Sequence, residues 1–480
     1  MSFTHFTSLT TRLGRELPPS APLPATLQTL ACRWWPFAYL EQCRERLGES
    51  FTLYPINMPP LVFLSNPQDI RAVTTAPSDV LHPGAGGKVM TPLFGESSFV
   101  LREEAEHLTG RNAVIPAFHR RVVQEQSNMI AGIVANEIAS WPTDTAFALQ
   151  PYLRQLTLKV ILEAVLDHTK TTHDALHRRL LAMLSVMSSP VLQQPCLRHL
   201  PGWHRTWRTF IGQREEVHQT VSALITQRRR GNGHCGDMLD MLIAAQNPDG
   251  SFLSDLEVRD SFTSVIIAGH ETTAAQLGWA FQLLAHNPAV QDRIVEEINC
   301  RTDDKYMTAT IHETLRHGSV FLFTPPRAVV KPIEVGGWTY RPPAHLVGCI
   351  YLMHHNPALY PDPHIFCPER FLGKRPQAGT LLPWGAGRKH CPGRHLALVV
   401  MQTILREVLS TRRVLPTSTH IESPRWRSAI LAPHAGSCVI LRTRGSAPKS
   451  DDGLGSPRRR NIPGVFPYHS RPPRQSDCSD

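Results

Sequence analysis

The chain has 480 residues, enough for one large core or two to three ordinary domains. Its 41% hydrophobic and 19% charged residues exclude an intrinsically disordered protein. The ten cysteines form no Cys-x-x-Cys pair, which argues against a disulfide scaffold or zinc ribbon and reads as thiols in a reducing compartment.

From the N-terminus, Arg12, Arg15 and Glu16 arrive before any long apolar run, so neither a signal peptide nor an anchor is expected. No later segment holds the about 18 uncharged apolar residues of a membrane span, and a cytoplasmic location is expected. Phe51–Tyr54 and Leu61–Leu64, split by Pro and Asn, predict a hairpin. Gly/Pro punctuation makes 82–95 a loop. From about Arg102 to Ala245 apolar residues recur at helical spacing, interrupted by the proline-broken stretch Met187–His204. Ser254-Asp255 opens the longest predicted helix, which runs to Asn287-Pro288. Charged helices follow at Gln291–Asn299 and Met307–His317, then strand-like, proline-rich chain over 320–372, then an apolar helix at Arg394–Thr411. The chain is mainly α with a small β-rich lobe, without βαβ alternation.

The net charge of +10 owes part of its excess to the tail from Arg444, with seven Lys/Arg against four Asp. Arg458-Arg459-Arg460 suggests nucleic-acid binding, but a Pro/Ser/Gly-rich charged tail is more simply a disordered, solvated end. The expected layout is therefore a folded body over 1–443 and a basic tail over 444–480, with no nucleic-acid partner.

One cysteine stands apart. Trp384-Gly-Ala-Gly-Arg-Lys-His-Cys391-Pro-Gly393 sets a thiol in a basic, glycine-rich loop at the start of the last helix. Arg388, Lys389, His390 and the helix N-terminus favour a thiolate at Cys391. The plain alternative is a buried thiol with an accidental Cys391/His395 half-site for zinc. Three further motifs occur in order. Ala268-Gly-His-Glu-Thr-Thr273 lies within the long helix, and Glu313-Thr-Leu-Arg316 puts two opposite charges on one helix face. Phe366-Cys-Pro-Glu-Arg-Phe371 precedes the cysteine loop.

Together, over about residues 20–443, these four resemble the cytochrome P450 monooxygenases. The resemblance implies a triangular, mostly α prism binding one haem b (iron protoporphyrin IX), with Cys391 as the thiolate ligand of the iron. It implies proton delivery by Glu271 and Thr272, the threonine turning its hydroxyl from its own backbone and opening the helix there. Glu313, Arg316 and Arg370 would form a buried network locking the haem loop. His107, Arg111 and Arg327 match the family's propionate partners, with Lys389 in place of its arginine and Trp384 in place of its phenylalanine; His390 would share that role. The doublet His354-His355 is structural on this reading. Val89, Met90, Val265, Ala268, Phe321, Leu322 and Phe323 would wall a pocket for an apolar substrate. The chain has no room for a reductase domain, so electrons are expected from a separate ferredoxin or flavodoxin-type donor. Alternatives are a peroxide-using or isomerising haem-thiolate enzyme, or a haem-binding sensor.

Overall fold

The computed structural model describes residues 17–445, except 84–86, 88–89, 168–169, 190, 192–196, 199, 232–235, 301–302 and 375. The predicted tail beyond 445, much of Met187–His204 and the candidate wall residue Val89 therefore lie outside the described residues.

The N-terminal lobe begins with α1 (Ala25–Trp34) and α2 (Pro36–Leu47). The predicted hairpin follows as β1 (Ser50–Leu53) and β2 (Leu61–Leu64), pairing Phe51 with Phe63, whose rings stack 5.5 Å apart. Next come α3 (Pro67–Thr75), β3 (Leu81–His82) and, inside the expected loop, one helical turn α4 (Thr91–Phe94) led by Pro92. A proline costs nothing in a first turn, where its missing N–H would be unpaired anyway.

The helical body holds α5 (Glu104–Val114), α6 (Arg120–Glu125), α7 (Ser127–Ala139), β4 (Ala146–Ala148), α8 (Gln150–Val165), α9 (Lys170–Leu184), α10 (Trp203–Arg229) and α11 (Met238–Ile243). Then come α12 (Asp255–His286), α13 (Pro288–Cys300) and α14 (Lys305–His317). The chain returns to the lobe through β5 (Arg327–Val329), β6 (Ile333–Val335), β7 (Trp338–Tyr340), β8 (His345–Gly348) and α15 (Ile350–His354). It closes with α16 (Arg394–Thr411), β9 (Arg412–Pro416), β10 (Pro424–Arg427), β11 (Ile430–Pro433) and β12 (Cys438–Thr443). The main sheet runs β1-β2-β8-β5-β3, with β2 and β8 parallel and its other pairs antiparallel.

α12 is the axis. Ser254 accepts from the Glu257 amide while the Glu257 side chain accepts from the Ser254 amide, a capping box that fixes its start. Apolar on all sides (Phe262, Ile266, Ala274, Leu277, Phe281), it is enclosed by α8, α10, α11, α14 and β11. Truncating Phe281 to Ala there would cost about 3–5 kcal/mol. Glu313 and Arg316 of α14 are fully buried at 0% exposure. Arg316 donates from Nε and Nη2 to the two Glu313 oxygens at 2.8 and 2.7 Å. Its Nη1 donates to the carbonyls of His354 and Pro363, both at 2.8 Å. The Cys367 amide donates to Glu313 Oε1 at 2.9 Å, and Arg370 Nε lies 3.5 Å from the same oxygen. This is the expected network. His354 extends it, because its Nε2 accepts from the Leu382 amide at 3.0 Å, two residues before Trp384.

Candidate active site

The loop 382–393 is shaped by its own backbone. The Cys391 amide donates to Trp384 O at 2.9 Å and the His390 amide to Gly387 O at 3.1 Å, closing a tight return. Gly385 and Gly387 both have φ of +67°. At Gly387 a side chain is excluded twice, since a Cβ would also sit 2.0 Å from the Thr74 carbonyl at the end of α3.

Cys391 lies just before α16. Protein surrounds its sulfur on nearly all sides, yet the residue keeps accessible surface, as a side chain lining an internal space does. Burial pushes the thiol up, while the Gly393 amide and the guanidinium groups of Arg111 and Arg394 pull it down. A bound cation would be needed to deprotonate it outright.

The second wall belongs to α12. Residues 258–285 of this helix are buried almost throughout, but Ala268 is exposed and Gly269 and Thr272 are partly so. An accessible patch in the middle of a buried helix marks an interior space. At Gly269 a Cβ would stand 3.1 Å from Ile161 Cδ1, so the glycine serves the close approach of α8. Thr272 does not turn from its own backbone: Oγ1 donates to Ala268 O at 2.7 Å, as Thr273 does to Gly269 O at 2.8 Å. The helix is not opened there. A threonine hydroxyl facing a low-polarity space finds its nearest acceptor on the preceding turn.

Glu271 faces away from that patch. Its Oε1 accepts from Arg427 Nε at 2.6 Å and lies 3.8 Å from Arg154 Nε, and Oε2 is 3.4 Å from His270 Nε2. Burial alone would raise this carboxyl, but His270, Arg427 and Arg154 more than offset it and hold it at about 2. His270 in turn meets Thr157 Oγ1 of α8 at 3.0 Å through Nδ1. Neither Arg427 nor Arg154 carried a motif. The only sequence hint for the pair is that a buried carboxylate requires cationic partners.

Five further candidates converge. Burial lowers Lys389 to about 8; Glu103 opposes this, while Arg327 and Arg111 push the same way. Among the described residues, neither the Arg111 guanidinium nor that of the buried Arg327 makes a hydrogen bond or salt bridge. His107 is buried with Nε2 unpartnered, and burial and then Lys389 lower it to about 4. Its Nδ1 lies 2.9 Å from Phe99 O and 3.0 Å from Lys389 Nζ. One ring nitrogen cannot donate to the first and accept from the second. The carbonyl contact is the stronger assignment, because Lys389 already donates to the Arg102 and Val100 carbonyls at 2.8 and 3.3 Å. Lys389 therefore ties the haem-type loop to the start of α5. His390 is half-buried, lowered by burial and by Arg394 and Arg111, and it stands on the same cationic side.

This donor set fits haem b: a thiol at a helix start, an accessible patch on the buried helix, and unpaired guanidinium groups with an orphaned imidazole nitrogen suited to carboxylates. The zinc alternative gains nothing, since among the described residues no three His, Cys, Asp or Glu side chains gather to hold a metal ion. Of the expected pocket walls, Val265 and Leu322 are buried and Met90, Phe321 and Phe323 partly so; Leu322 turns into the N-terminal core with Tyr39 and Phe51. A cleft of about 420 Å³ beside Glu49, Asp69 and Trp338 touches none of these residues.

The family model for cytochrome P450 matches residues 17–437. This chain belongs to the cytochrome P450 family. Cytochrome P450 135B1 of Mycobacterium tuberculosis is 31% identical over 92% of this chain and 96% of that protein. Cytochrome P450 137 of the same organism is 30% identical over 88% and 91%. The solved structure of retinoic acid bound cyanobacterial CYP120A1 superposes with a TM-score of 0.77 at 19% identity, covering 89% of this chain and 99% of that one. The fold is thus the P450 fold and the cofactor haem b. The enzyme is a haem-thiolate monooxygenase of bacterial type. Among the described residues no helix is long and apolar enough to cross a membrane.

Proposed function

We propose that this P450 inserts one oxygen atom of O2 into an apolar organic substrate, with electrons from a separate ferredoxin or flavodoxin-type donor. Two observations carry the reading: an accessible Cys391 at the start of α16 and an accessible Ala268, Gly269 and Thr272 on the otherwise buried α12. When bound, haem supplies the O2 chemistry, with a thiolate ligand favouring O–O cleavage. Cys391 is the residue that would hold the iron, and Arg111, Arg327 and His107 would hold the propionates. Lys389 and His390 contribute positive charge and anchoring on that side. Thr272 keeps its proton on the Ala268 carbonyl and presents oxygen lone pairs to the patch, so it orients a proton-bearing water rather than donating directly. Glu271, held as the anion by His270, Arg427 and Arg154, would act on that proton chain through its fixed negative charge behind Thr272. Arg388 and Arg394, on the loop and helix start carrying Cys391, give the acidic donor a basic docking face. The working compartment is the cytoplasm.

One observation favours a peroxide-using or isomerising enzyme instead: Glu271 is clamped by Arg427 and held as the anion, which resists proton uptake. Turnover of an apolar substrate library with a surrogate ferredoxin system, compared with peroxide alone, separates the two. Product with peroxide only would replace the monooxygenase reading. Loss of the red-shifted thiolate Soret band of the reduced carbon monoxide complex in Cys391→Ser tests the ligand, and its retention would remove Cys391 from that role.

A further inference from the structure

Gly269 and His270 of α12 both meet α8. The glycine admits α8 so closely that a Cβ there would stand 3.1 Å from Ile161 Cδ1. One turn earlier on α8, Thr157 reaches the histidine, with Oγ1 3.0 Å from Nδ1 and 3.2 Å from the His270 carbonyl. Thr157 and Ile161 are four residues apart and so share the face of α8 that packs on α12. Both His270 and Thr157 are buried, at 0% and 3% exposure.

A neutral imidazole carries its proton on Nδ1 or on Nε2, and the surroundings decide between them. Nε2 lies 3.4 Å from Glu271 Oε2, and neither atom has a hydrogen-bond partner elsewhere among the described residues. A lone pair on Nε2 would face a buried carboxylate across that gap, at a cost; a proton there is attracted to it. Nδ1 is then the acceptor. The Thr157 hydroxyl donates to it, since Nδ1 is nearer than the other acceptors in reach, the carbonyls of His270 and Arg154. A doubly protonated ring is disfavoured, because Arg427 and Arg154 already bring two positive charges to this one carboxylate. His177 of α9, at the Gln155 carbonyl, is a further titratable group within electrostatic reach of the ring. Burial works against the Glu271 anion, and of the groups that offset it His270 comes ahead of Arg427 and Arg154.

We propose that Thr157 and His270 are positioning residues for Glu271: the Thr157 hydroxyl fixes the imidazole with its proton on Nε2, and that N–H orients the carboxylate and keeps it an anion. The consequence for turnover rests on the reading of Glu271 as the fixed charge behind Thr272; the effect on the carboxylate itself does not.

The test uses the full-length, haem-loaded protein with Thr157→Val and Thr157→Ser, each with and without Glu271→Gln. Valine keeps the shape of threonine and loses the hydroxyl, whereas serine keeps the hydroxyl and loses a methyl group. A packing role makes serine the worse replacement; the hydroxyl role makes it valine. Urea midpoints with and without Glu271→Gln are followed as the pH is lowered. In the wild-type background they should converge as the carboxyl titrates towards about 2. With Thr157→Val, Glu271 should hold its proton about tenfold more tightly, so convergence is complete about one pH unit higher. Thr157→Ser should follow the wild type, and His270→Phe should shift convergence at least as far as Thr157→Val. Product per NADPH should fall with Thr157→Val and recover with Thr157→Ser. A shifted convergence without loss of product would uphold the positioning and count against the proton-chain reading alone. Unshifted convergence in either Thr157→Val or His270→Phe would overturn the proposal, as would a shift in Thr157→Ser as large as that in Thr157→Val.

Discussion

Arg427 donates to the Glu271 carboxylate at 2.6 Å across 156 residues of chain, so the tip of the β10–β11 hairpin is pinned to the centre of α12. The next residue, Ser428, donates from Oγ to Met90 Sδ at 3.6 Å. The hairpin tip thus touches both the oxygen-side helix and the segment leading into α4.

The depressed Glu271 carboxyl gives stability a pH dependence of definite sign. A group held at about 2 when folded, against 4.5 when free, stabilises the fold above pH 4.5 and loses that contribution as pH falls towards 2. The contribution is on the order of 3 kcal/mol. Urea midpoints of the wild type and Glu271→Gln should therefore converge as the pH is lowered from about 6 to about 3. Parallel curves would show that the carboxylate is not held by Arg427 and Arg154.

Glu313→Ala leaves the Arg316 guanidinium charged and fully buried with carbonyl partners only. A loss of about 3–5 kcal/mol is expected, with haem content falling alongside the melting temperature. Arg316→Lys alone should lose part of the same stability, because one ammonium cannot reproduce the paired donors to Glu313. A haem-replete Glu313→Ala protein of normal melting point would reduce the network to a dispensable ion pair.

Gly387→Ala combines a positive φ with a Cβ placed on the Thr74 carbonyl. About 1–3 kcal/mol is expected from the strain alone, and the loop must shift off α3. Haem dissociation followed by transfer to apomyoglobin should accelerate in this variant. An unchanged rate would mean that the loop is not held against α3.

Thr272→Ala should bind haem and substrate as the wild type does, since the hydroxyl holds only its own helix carbonyl. If Thr272 orients the proton-bearing water, reducing equivalents should be diverted to released peroxide, while product per NADPH falls. Unchanged coupling would move the peroxide-using reading ahead of the monooxygenase.

Local signals carried much of the architecture. Ser254 with Glu257 and Asn287-Pro288 mark both ends of α12, and Gly393 followed by an apolar run marks α16. The hairpin at 51–64 was equally legible, because two short β-rich runs and the turn prolines between them lie within a few residues. Contacts between distant segments were not. Nothing near Glu271 announces Arg427, and nothing near Lys389 announces the Val100 and Arg102 carbonyls, because long-range partners are chosen by packing. The three-residue β4 escaped for the same reason: Ala146–Ala148 is a strand only because β12 supplies its hydrogen bonds. The orientation of the Thr272 hydroxyl also failed, since a rotamer depends on which acceptor lies closest.

The Leu382 amide, bonded to His354 Nε2, whose backbone carbonyl is held by Arg316, has a consequence for exchange with solvent. Burial, and then Arg316, hold the His354 imidazole at about 3, so it remains a neutral acceptor at any working pH. The amide's partner belongs to a residue that is fully buried and whose carbonyl is tied to α14. Deuterium uptake at the Leu382 amide should follow global unfolding and not local fluctuation of the loop. The segment carrying Cys391 would thus melt as part of the core, although it is irregular in secondary structure.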